Sequence, residues 1–196
     1  MSQPRLSAVL QLIDNANRAD PNQELDQTGA AQPKEWLYGV RMSECLAQFE
    51  PEASEHLQIA ARGQHIERWQ SPRSDYPEGR TGYKKWRAEL GLFHAKRVGE
   101  LMLDAGYSEE DVERTRYLVQ KRGLKRDAES QCLEDVICLV FLQHYLADFA
   151  TKHPEDKLID IIQKTWAKMS ERGHDAALKI PLADHLSALV GKALAA

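Results

Sequence analysis

The feature that most restricts the fold is one long segment whose apolar residues cover nearly every side of a helix. This segment reads ESQCLEDVICLVFLQHYLADFATK and spans residues 129–152. A helix that is hydrophobic all round has to be covered by other parts of the protein, because no side of it is suited to water. We therefore expect this helix at the centre of the fold, with further helices packed around it.

The rest of the chain repeats apolar residues at helical spacing, between short stretches rich in Pro, Gly, Asn and Asp. Predicted helices include EWLYGVRMSECLAQF, ASEHLQIAARGQHIERW, GYKKWRAELGLFHAKRVGELMLDAGY and EDKLIDIIQKTWAKMSERG, whereas QELDQTGAAQPKE is predicted to be a loop. Ser108 and Asp111 resemble a capping box at a helix start. With no alternating strand pattern and no glycine-rich phosphate loop, the sequence predicts an all-α fold. We expect residues 1–196 to form a single helical domain, a compact multi-helix bundle.

Charge and hydropathy narrow the range of partners. The formal net charge is −4, which argues against a protein that binds nucleic acid polymers through a basic surface. The longest uninterrupted apolar run, VICLVFL, is about a third of the ~20 residues that a membrane-spanning helix needs. The first twenty residues contain no apolar signal-peptide core. We therefore expect a cytoplasmic protein without a membrane partner; the sequence does not predict an oligomeric state.

Asp135 is the most informative single residue because it lies on the helix that we expect to be central. Leu139, Leu142 and Leu146 follow it at helical spacing, so its carboxylate is expected to point into the core. Burying an ionised carboxylate costs several kcal/mol unless a cation or hydrogen-bond donors meet it. The expected partners are Arg41, Arg68, His65, His94 or a bound metal. A purely structural ion pair and a functional site are both consistent with this pattern.

A second candidate region gathers cationic and aromatic side chains in residues 60–87, AARGQHIERWQSPRSDYPEGRTGYKKWR. Guanidinium groups suit phosphate, and aromatic rings offer stacking faces for a base. The candidate ligand-binding residues are Arg68, Trp69, Arg73, Tyr76, Arg80, Tyr83 and Arg87, with Lys121 from the later basic stretch QKRGLKRD. The alternative is a solvated loop whose arginines pair with nearby carboxylates and whose stems cover apolar surface.

Several phrases of the sequence carry a resemblance to a known family. IDNANRADPN, RMSECL, AARGQHIERWQSPRSDYPEGRTGYKKWRAEL, FHAKR, QKRGLKRDAESQCLEDVICLVFLQHY and KTWAKMS together resemble the DUF4202 family, a domain of unknown function, over nearly the whole chain. A weaker likeness is to the HD-domain phosphohydrolases, carried by YGVRMSECLAQFEPEASEHLQIAARGQHIERW and LEDVICLVFL. The second resemblance implies a helical bundle of the HD-domain architecture.

The HD resemblance also implies a metal site, with departures from the family pattern. Tyr38 stands where the first histidine is expected, Gln64 and His65 stand at the His-Asp pair, and Asp135 stands at the last aspartate. A metal would then be held by His65, His94 and Asp135 with Glu134 nearby, or the pocket would work without metal. Imidazole and carboxylate ligands suit Mn, Fe or Zn.

Two functions remain open from these residues. The first is an HD-like phosphohydrolase or transferase acting on a nucleotide or another phosphorylated small molecule, with His65, Asp135 and Glu134 as the catalytic residues. The second is a non-catalytic helical module that binds an anion or a nucleotide in the same pocket. A third reading, in which the basic residues are paired internally, predicts no ligand at all.

Overall fold

The structure is a computed structural model that describes residues 2–195, with side chains from residue 4 onward. Its contacts divide the chain into two compact units, residues 1–122 and residues 123–196, called here the first and the second unit. Helices dominate both units, so the all-α prediction is confirmed. The prediction of a single domain stays a prediction.

The first unit is a set of five helices with one short hairpin. Its elements are α1 (Ser2–Arg18), β1 (Gln23–Leu25), β2 (Ala31–Pro33), α2 (Lys34–Phe49), α3 (Glu55–Arg62), α4 (Gly79–Asp104) and α5 (Glu109–Val119), with two 3₁₀ turns at Arg68–Gln70 and Arg73–Asp75. Ile13, Ile59, Val98 and Met102 are fully buried in its core. The capping box at Ser108 and Asp111 is confirmed at the start of α5.

The second unit contains the remaining helices. Its elements are α6 (Ala128–Val140), a π-helical stretch (Phe141–Tyr145), α7 (Leu146–Lys152), α8 (Glu155–Trp166), α9 (Glu171–Ala177) and α10 (Asp184–Ala195). The segment 129–152 is helical throughout, as its apolar pattern predicts, but its middle is wound as a π-helix. The single helix predicted for EDKLIDIIQKTWAKMSERG is wrong, because α8 ends at Trp166 and Ser170 caps the start of α9.

The segment predicted as a loop between α1 and α2 contains β1 and β2, which pair antiparallel with Leu25 opposite Ala31. Asp26 closes the hairpin by accepting hydrogen bonds from the backbone amides of Thr28 and Ala30. Gly29 supplies the positive φ of 82° that the turn requires. Local bonds of an Asp side chain to the backbone favour a turn, which explains why so short a hairpin forms without an alternating apolar pattern.

The helix predicted to run through His65 ends earlier, at Arg62. Gly63 follows as the cap, and a Cβ there would lie 2.5 Å from Cγ2 of Val98 on α4. Only glycine therefore permits this close approach of the α3 end to α4. As a result, His65 lies in a turn rather than on a helical face. No helix in the described part of the chain has the length and apolar character to cross a membrane.

Candidate functional site

The turn that carries His65 is held in place by side chains from two helices. Nδ1 of His94, on α4, donates a hydrogen bond of 2.8 Å to the carbonyl of Ile66. The backbone amide of Glu67, which has a left-handed φ of 49°, donates to Oδ1 of Asn17 at 2.9 Å. These bonds fix the backbone directly after His65, so the position of its imidazole depends on the fold as well as on its own rotamer.

His65 lies between an acid and a guanidinium. Its Nδ1 is 3.2 Å from Oε2 of Glu35, and its Nε2 is 3.0 Å from Nη1 of Arg68. Burial, and then the positive charge of Arg68, hold the pKa of His65 well below its ordinary value, so the ring is neutral at pH 7. Nη1 of Arg68 also lies 3.2 Å from Nδ1, and a guanidinium only donates. In the tautomer in which Nε2 accepts from Arg68, Nδ1–H faces Glu35.

Glu35 is the acid of this group, and its side chain is almost fully removed from water. The residue is 7% exposed, and its backbone is held by Asp20, whose Oδ2 accepts from the Glu35 amide at 3.0 Å. Burial raises the pKa of Glu35 to about 7, and Arg68 opposes this rise only partly. A carboxyl group with such a pKa exchanges its proton near neutral pH, as general acids and bases do.

The guanidinium of Arg68 contacts an imidazole and an aromatic ring and forms no hydrogen bond to a carboxylate among the described residues. Its guanidinium carbon lies 5.2 Å from the centroid of the Trp86 ring. Its only hydrogen-bond partner among the described residues is the His65 ring, reached through Nη1. Arg62, by contrast, donates through Nε and Nη2 to both oxygens of Asp14, at 2.6 and 2.7 Å. Arg68 therefore keeps two donor nitrogens for a ligand.

Further cations surround His65. After burial and Arg68, the charges of Arg87, Lys121 and Lys34 lower the pKa of this histidine. The carboxyl group of Glu35 lies beside the neutral His65 ring, 3.2 Å from Nδ1. The resulting positive potential favours an anion beside the imidazole.

Aromatic rings form the apolar part of the site. The ring of Tyr38 stacks on His65, with centroids 3.9 Å apart and an interplanar angle of 12°. Trp86 is buried and donates from Nε1 to the carbonyl of Ser71 at 2.9 Å. Tyr83, one turn earlier on α4, is half exposed, and its ring lies 5.9 Å from that of Trp86. Tyr83 thus presents a face on which a ligand ring can stack, whereas the ring of Trp86 packs against the guanidinium of Arg68.

Two of the predicted ligand-binding residues have structural partners instead. Arg73 donates from Nη1 and Nη2 to the carbonyls of Tyr76 and Pro77, both at 2.8 Å. The hydroxyl of Tyr76 donates to Glu89 at 2.6 Å. These bonds fasten the segment between α3 and α4. The other predicted residues of this segment have different surroundings: Trp69 is half-buried, and Arg80 and Arg87 are exposed on α4.

Asp135 lies in the second unit and has different partners from those that we expected. Its Oδ1 accepts from the Ser170 amide at 2.8 Å and from Nε2 of Gln131 at 3.1 Å, while Oδ2 accepts from the Ser170 hydroxyl at 2.6 Å. We expected a cation, whereas these three donors are uncharged. Glu134, beside it, is also buried, with Nζ of Lys168 3.7 Å from Oε1. Asp135 thereby fastens the segment that leads into α9.

The metal prediction has less support than the anion prediction from these contacts. Across the residues that the structure describes, no group of three or more His, Cys, Asp or Glu side chains is arranged to hold a metal ion. In the first unit the guanidinium of Arg68 lies within 3.2 Å of both ring nitrogens of His65, where a metal would have to bind. Burial lowers the pKa of His94 to about 3, and the bond from its Nδ1 to the Ile66 carbonyl leaves Nε2 for any ligand. The metal site of His65, His94 and Asp135 stays a prediction.

Glu35, Asn17 and Asp20 are the site residues that sequence reasoning missed. From the sequence we assigned no contact to the stretch DNANRADPN, but Asn17 donates from Nδ2 to the Glu35 carbonyl at 3.4 Å, and Asp14 pairs with Arg62. Asp14, Asn17 and Asp20 recur every three residues after the buried Ile13. That spacing of polar groups next to an apolar stripe is the signal that indicates a polar contact inside the fold.

The comparisons with known proteins give a family and no relative of established activity. No curated protein and no solved structure matches the chain. The likeness to HD-domain phosphohydrolases therefore stays a prediction. Residues 7–190, which include every residue of the site around His65, match the family described as Domain of unknown function (DUF4202). The chain belongs to the DUF4202 family.

Proposed function

We propose that the first unit binds a phosphorylated small molecule at Arg68 and that Glu35 and His65 together move a proton during its hydrolysis or transfer. The observation that carries the proposal is the arrangement around Arg68. A largely buried guanidinium contacts a neutral imidazole and keeps Nε and Nη2 without a protein acceptor among the described residues. Paired donors in this fork geometry match two oxygens of a phosphate.

The acid-base chemistry follows from the hydrogen bonds of His65. In the absence of a ligand, the lone pair of Nε2 accepts from Arg68. An anion that draws the guanidinium toward itself frees this lone pair to take a proton from water. The water oxygen then bonds to phosphorus, the ester P–O bond breaks, and the imidazolium returns the proton to the leaving oxygen. Glu35, at Nδ1, stabilises the imidazolium that forms meanwhile.

A nucleotide is the ligand class that uses the remaining features. Tyr83 offers a half-exposed ring beside the basic face of α4, and Arg80 and Arg87 lie on the same helix within one turn of it. A base stacked on Tyr83 would place its phosphates among these cations. The proposal routes no step through a metal, and it assigns none to Asp135 or Glu134. The cytoplasmic location stays a prediction.

The test combines ligand binding with turnover. The purified full chain is screened by thermal shift against nucleoside mono-, di- and triphosphates, sugar phosphates and inorganic phosphate, and each stabilising compound is then assayed for phosphate release. We expect Arg68→Gln to weaken binding at least tenfold, because it removes the fork of donors. His65→Asn should keep the thermal shift and lose turnover. Lys96→Gln, which removes an exposed cation elsewhere on α4, is the matched control and should behave like wild type.

The outcomes separate the two functions that the sequence leaves open. Binding that depends on Arg68, with phosphate release that depends on His65, supports the enzyme. Binding without release by any compound favours the non-catalytic anion-binding module. A chain that no compound stabilises, or an Arg68→Gln variant with unchanged affinity, contradicts both and leaves the basic residues a structural role.

A further inference from the structure

The second unit contains an apolar cavity that the proposed function does not use. It has a volume of about 190 Å³. Its walls come from the π-helical stretch, from α8, α9 and α10, and from the segment between α9 and α10. They include Leu142, Ile162, Trp166, Ala177, Leu182 and Leu194. No charged side chain is among the described residues that line it. The cavity is partly open to solvent, so it presents apolar surface that the packing of the unit leaves uncovered.

The two hydroxyl groups in the wall already have partners. Thr165 donates to the Ile161 carbonyl at 2.8 Å, and Ser187 donates to the Leu182 carbonyl at 3.4 Å. The side-chain hydroxyls are therefore already engaged, and most of the surface that the cavity offers to an entering molecule is apolar. A space with this chemistry suits an apolar group better than a cluster of waters, each of which needs two or more polar partners.

Gly191 keeps this space open. Ser187, Val190, Gly191 and Leu194 line the cavity at the spacing of one helical face of α10. A Cβ added at Gly191 would have no atom within 4 Å, and its backbone is helical, so no steric reason requires glycine there. Glycine inside a helix is nevertheless less favourable than alanine by about 1 kcal/mol. Any larger side chain at this position would occupy the cavity.

The wall and the mouth of the cavity have two further features of a binding site. Leu142 belongs to the π-helical stretch, and such stretches within α-helices are frequently found at functional sites. Leu178, which also lines the cavity, is 65% exposed, so the apolar surface continues to the outside. An apolar molecule could therefore enter without unfolding the unit.

We propose that this cavity binds an uncharged apolar molecule, or the apolar end of a larger one, with the size of one aromatic ring or a chain of about eight carbons. The size follows from the volume, since an engineered apolar cavity of about 150 Å³ holds benzene. The absence of charged residues from the described wall excludes an ionic head group inside the cavity. The site is independent of the proposed phosphate chemistry, because all of its lining residues belong to the second unit.

The experiment measures binding of n-octanol and toluene to the full chain by tryptophan fluorescence and by thermal shift, since Trp166 lines the cavity. We expect a saturable response to both probes and none to 1,8-octanediol, which is polar at each end. Gly191→Leu should weaken binding of both probes at least tenfold, because the new side chain fills the space, and it should raise Tm by a few degrees. Gly91→Leu is the matched control, because Gly91 also lies within a helix with open space around an added Cβ.

Each result either supports or overturns the proposed binding of an apolar molecule in this cavity. Saturable binding that is lost in Gly191→Leu and kept in Gly91→Leu supports the cavity as a ligand site. If Gly191→Leu does not fold, Gly191→Ala adds a single methyl group, and it should weaken toluene binding about threefold. A full chain that binds neither probe saturably overturns the proposal. Binding that survives substitution of Gly191 overturns it as well, because the probe would then bind elsewhere.

Discussion

Glu35 in the first unit and Asp135 in the second are both buried carboxylates. The side chain of Asp135 accepts more hydrogen bonds than that of Glu35. They are 7% and 2% exposed. Asp135 accepts from the Ser170 amide, the Ser170 hydroxyl and the Gln131 amide. Among the residues that the structure describes, the side chain of Glu35 has one close partner, Nδ1 of His65 at 3.2 Å. Burial raises the pKa of Glu35 to about 7.

The difference shows that burial alone does not make a carboxylate a functional candidate. Three donors replace the water that Asp135 loses, so this acid stabilises the link between α6 and the start of α9. Glu35 loses its water with much less replacement, so its proton is held more tightly and becomes exchangeable near neutral pH. A structural acid and a reactive acid can therefore look alike in a sequence and be distinguished only by their donors.

The largest expected effect concerns Asp135 and its contribution to the stability of the second unit. Asp135→Ala leaves three donors of the second unit without their acceptor, and we expect it to lower the free energy of unfolding by about 4 kcal/mol. Equilibrium urea unfolding of the full chain measures this change. Asp160→Ala, which removes an exposed acid from α8, serves as the control and should cost about 0.5 kcal/mol or less. A loss below 1 kcal/mol for Asp135→Ala would show that the donors find water instead.

The second prediction concerns Glu35 and is tested through the pH dependence of the free energy of unfolding. The pKa of Glu35 rises from an ordinary value of 4.5 to about 7 on folding, so the folded state binds more protons than the unfolded state between these values. Its contribution to stability is therefore present below about pH 4.5 and is lost as the pH rises through 7. We expect the free energy of unfolding of wild type, relative to Glu35→Gln, to fall by about 3 kcal/mol between pH 4 and pH 8.

The measurement has to be a difference between variants because the nearby histidines act in the opposite direction. Folding lowers the pKa of His65 and of His94, so their contributions are lost as the pH falls below the ordinary histidine value of 6.5. Urea unfolding of wild type and Glu35→Gln at several pH values separates the Glu35 contribution. Glu113→Gln, an exposed substitution in α5, should run parallel to wild type. Parallel curves for Glu35→Gln would contradict the raised pKa.

The sequence predicted that Asp135 is buried, but it did not predict which residues donate hydrogen bonds to it. Helical periodicity placed the segment around Asp135 in the interior, and the structure confirms that Asp135 is buried. The partner could not be predicted, because Ser170 lies 35 residues later and reaches the carboxylate only after α8 has ended at Trp166. Capping bonds of this kind depend on where a helix stops, and helix boundaries are the least certain part of a sequence-based prediction.

For the site around His65, the sequence predicted the histidine and the arginine but not Glu35. His65 and Arg68 do contact each other, although the helix predicted to bring them together ends before His65. Glu35 follows Pro33 in the first turn of α2, where acidic residues are common for electrostatic reasons. Nothing in the local pattern distinguishes a helix-start glutamate from a buried acid. Its role depends on contacts with Asp20 and His65, which only the tertiary structure establishes.

The smallest expected effect shows how much of the stabilisation by Asp135 depends on the Ser170 hydroxyl. The Ser170 hydroxyl donates to Asp135 at 2.6 Å and accepts from the Gly173 amide at 3.0 Å, so Ser170→Ala loses two hydrogen bonds and should cost about 1.5 kcal/mol. Ser170→Thr keeps the hydroxyl and should cost much less. Combined with Asp135→Ala, Ser170→Ala should cost only about 0.5 kcal/mol more, because its hydrogen bond to the carboxylate is already lost. Fully additive costs in urea unfolding would mean that Asp135 and Ser170 stabilise the second unit independently, and Asp135 would then be a buried acid as poorly compensated as Glu35.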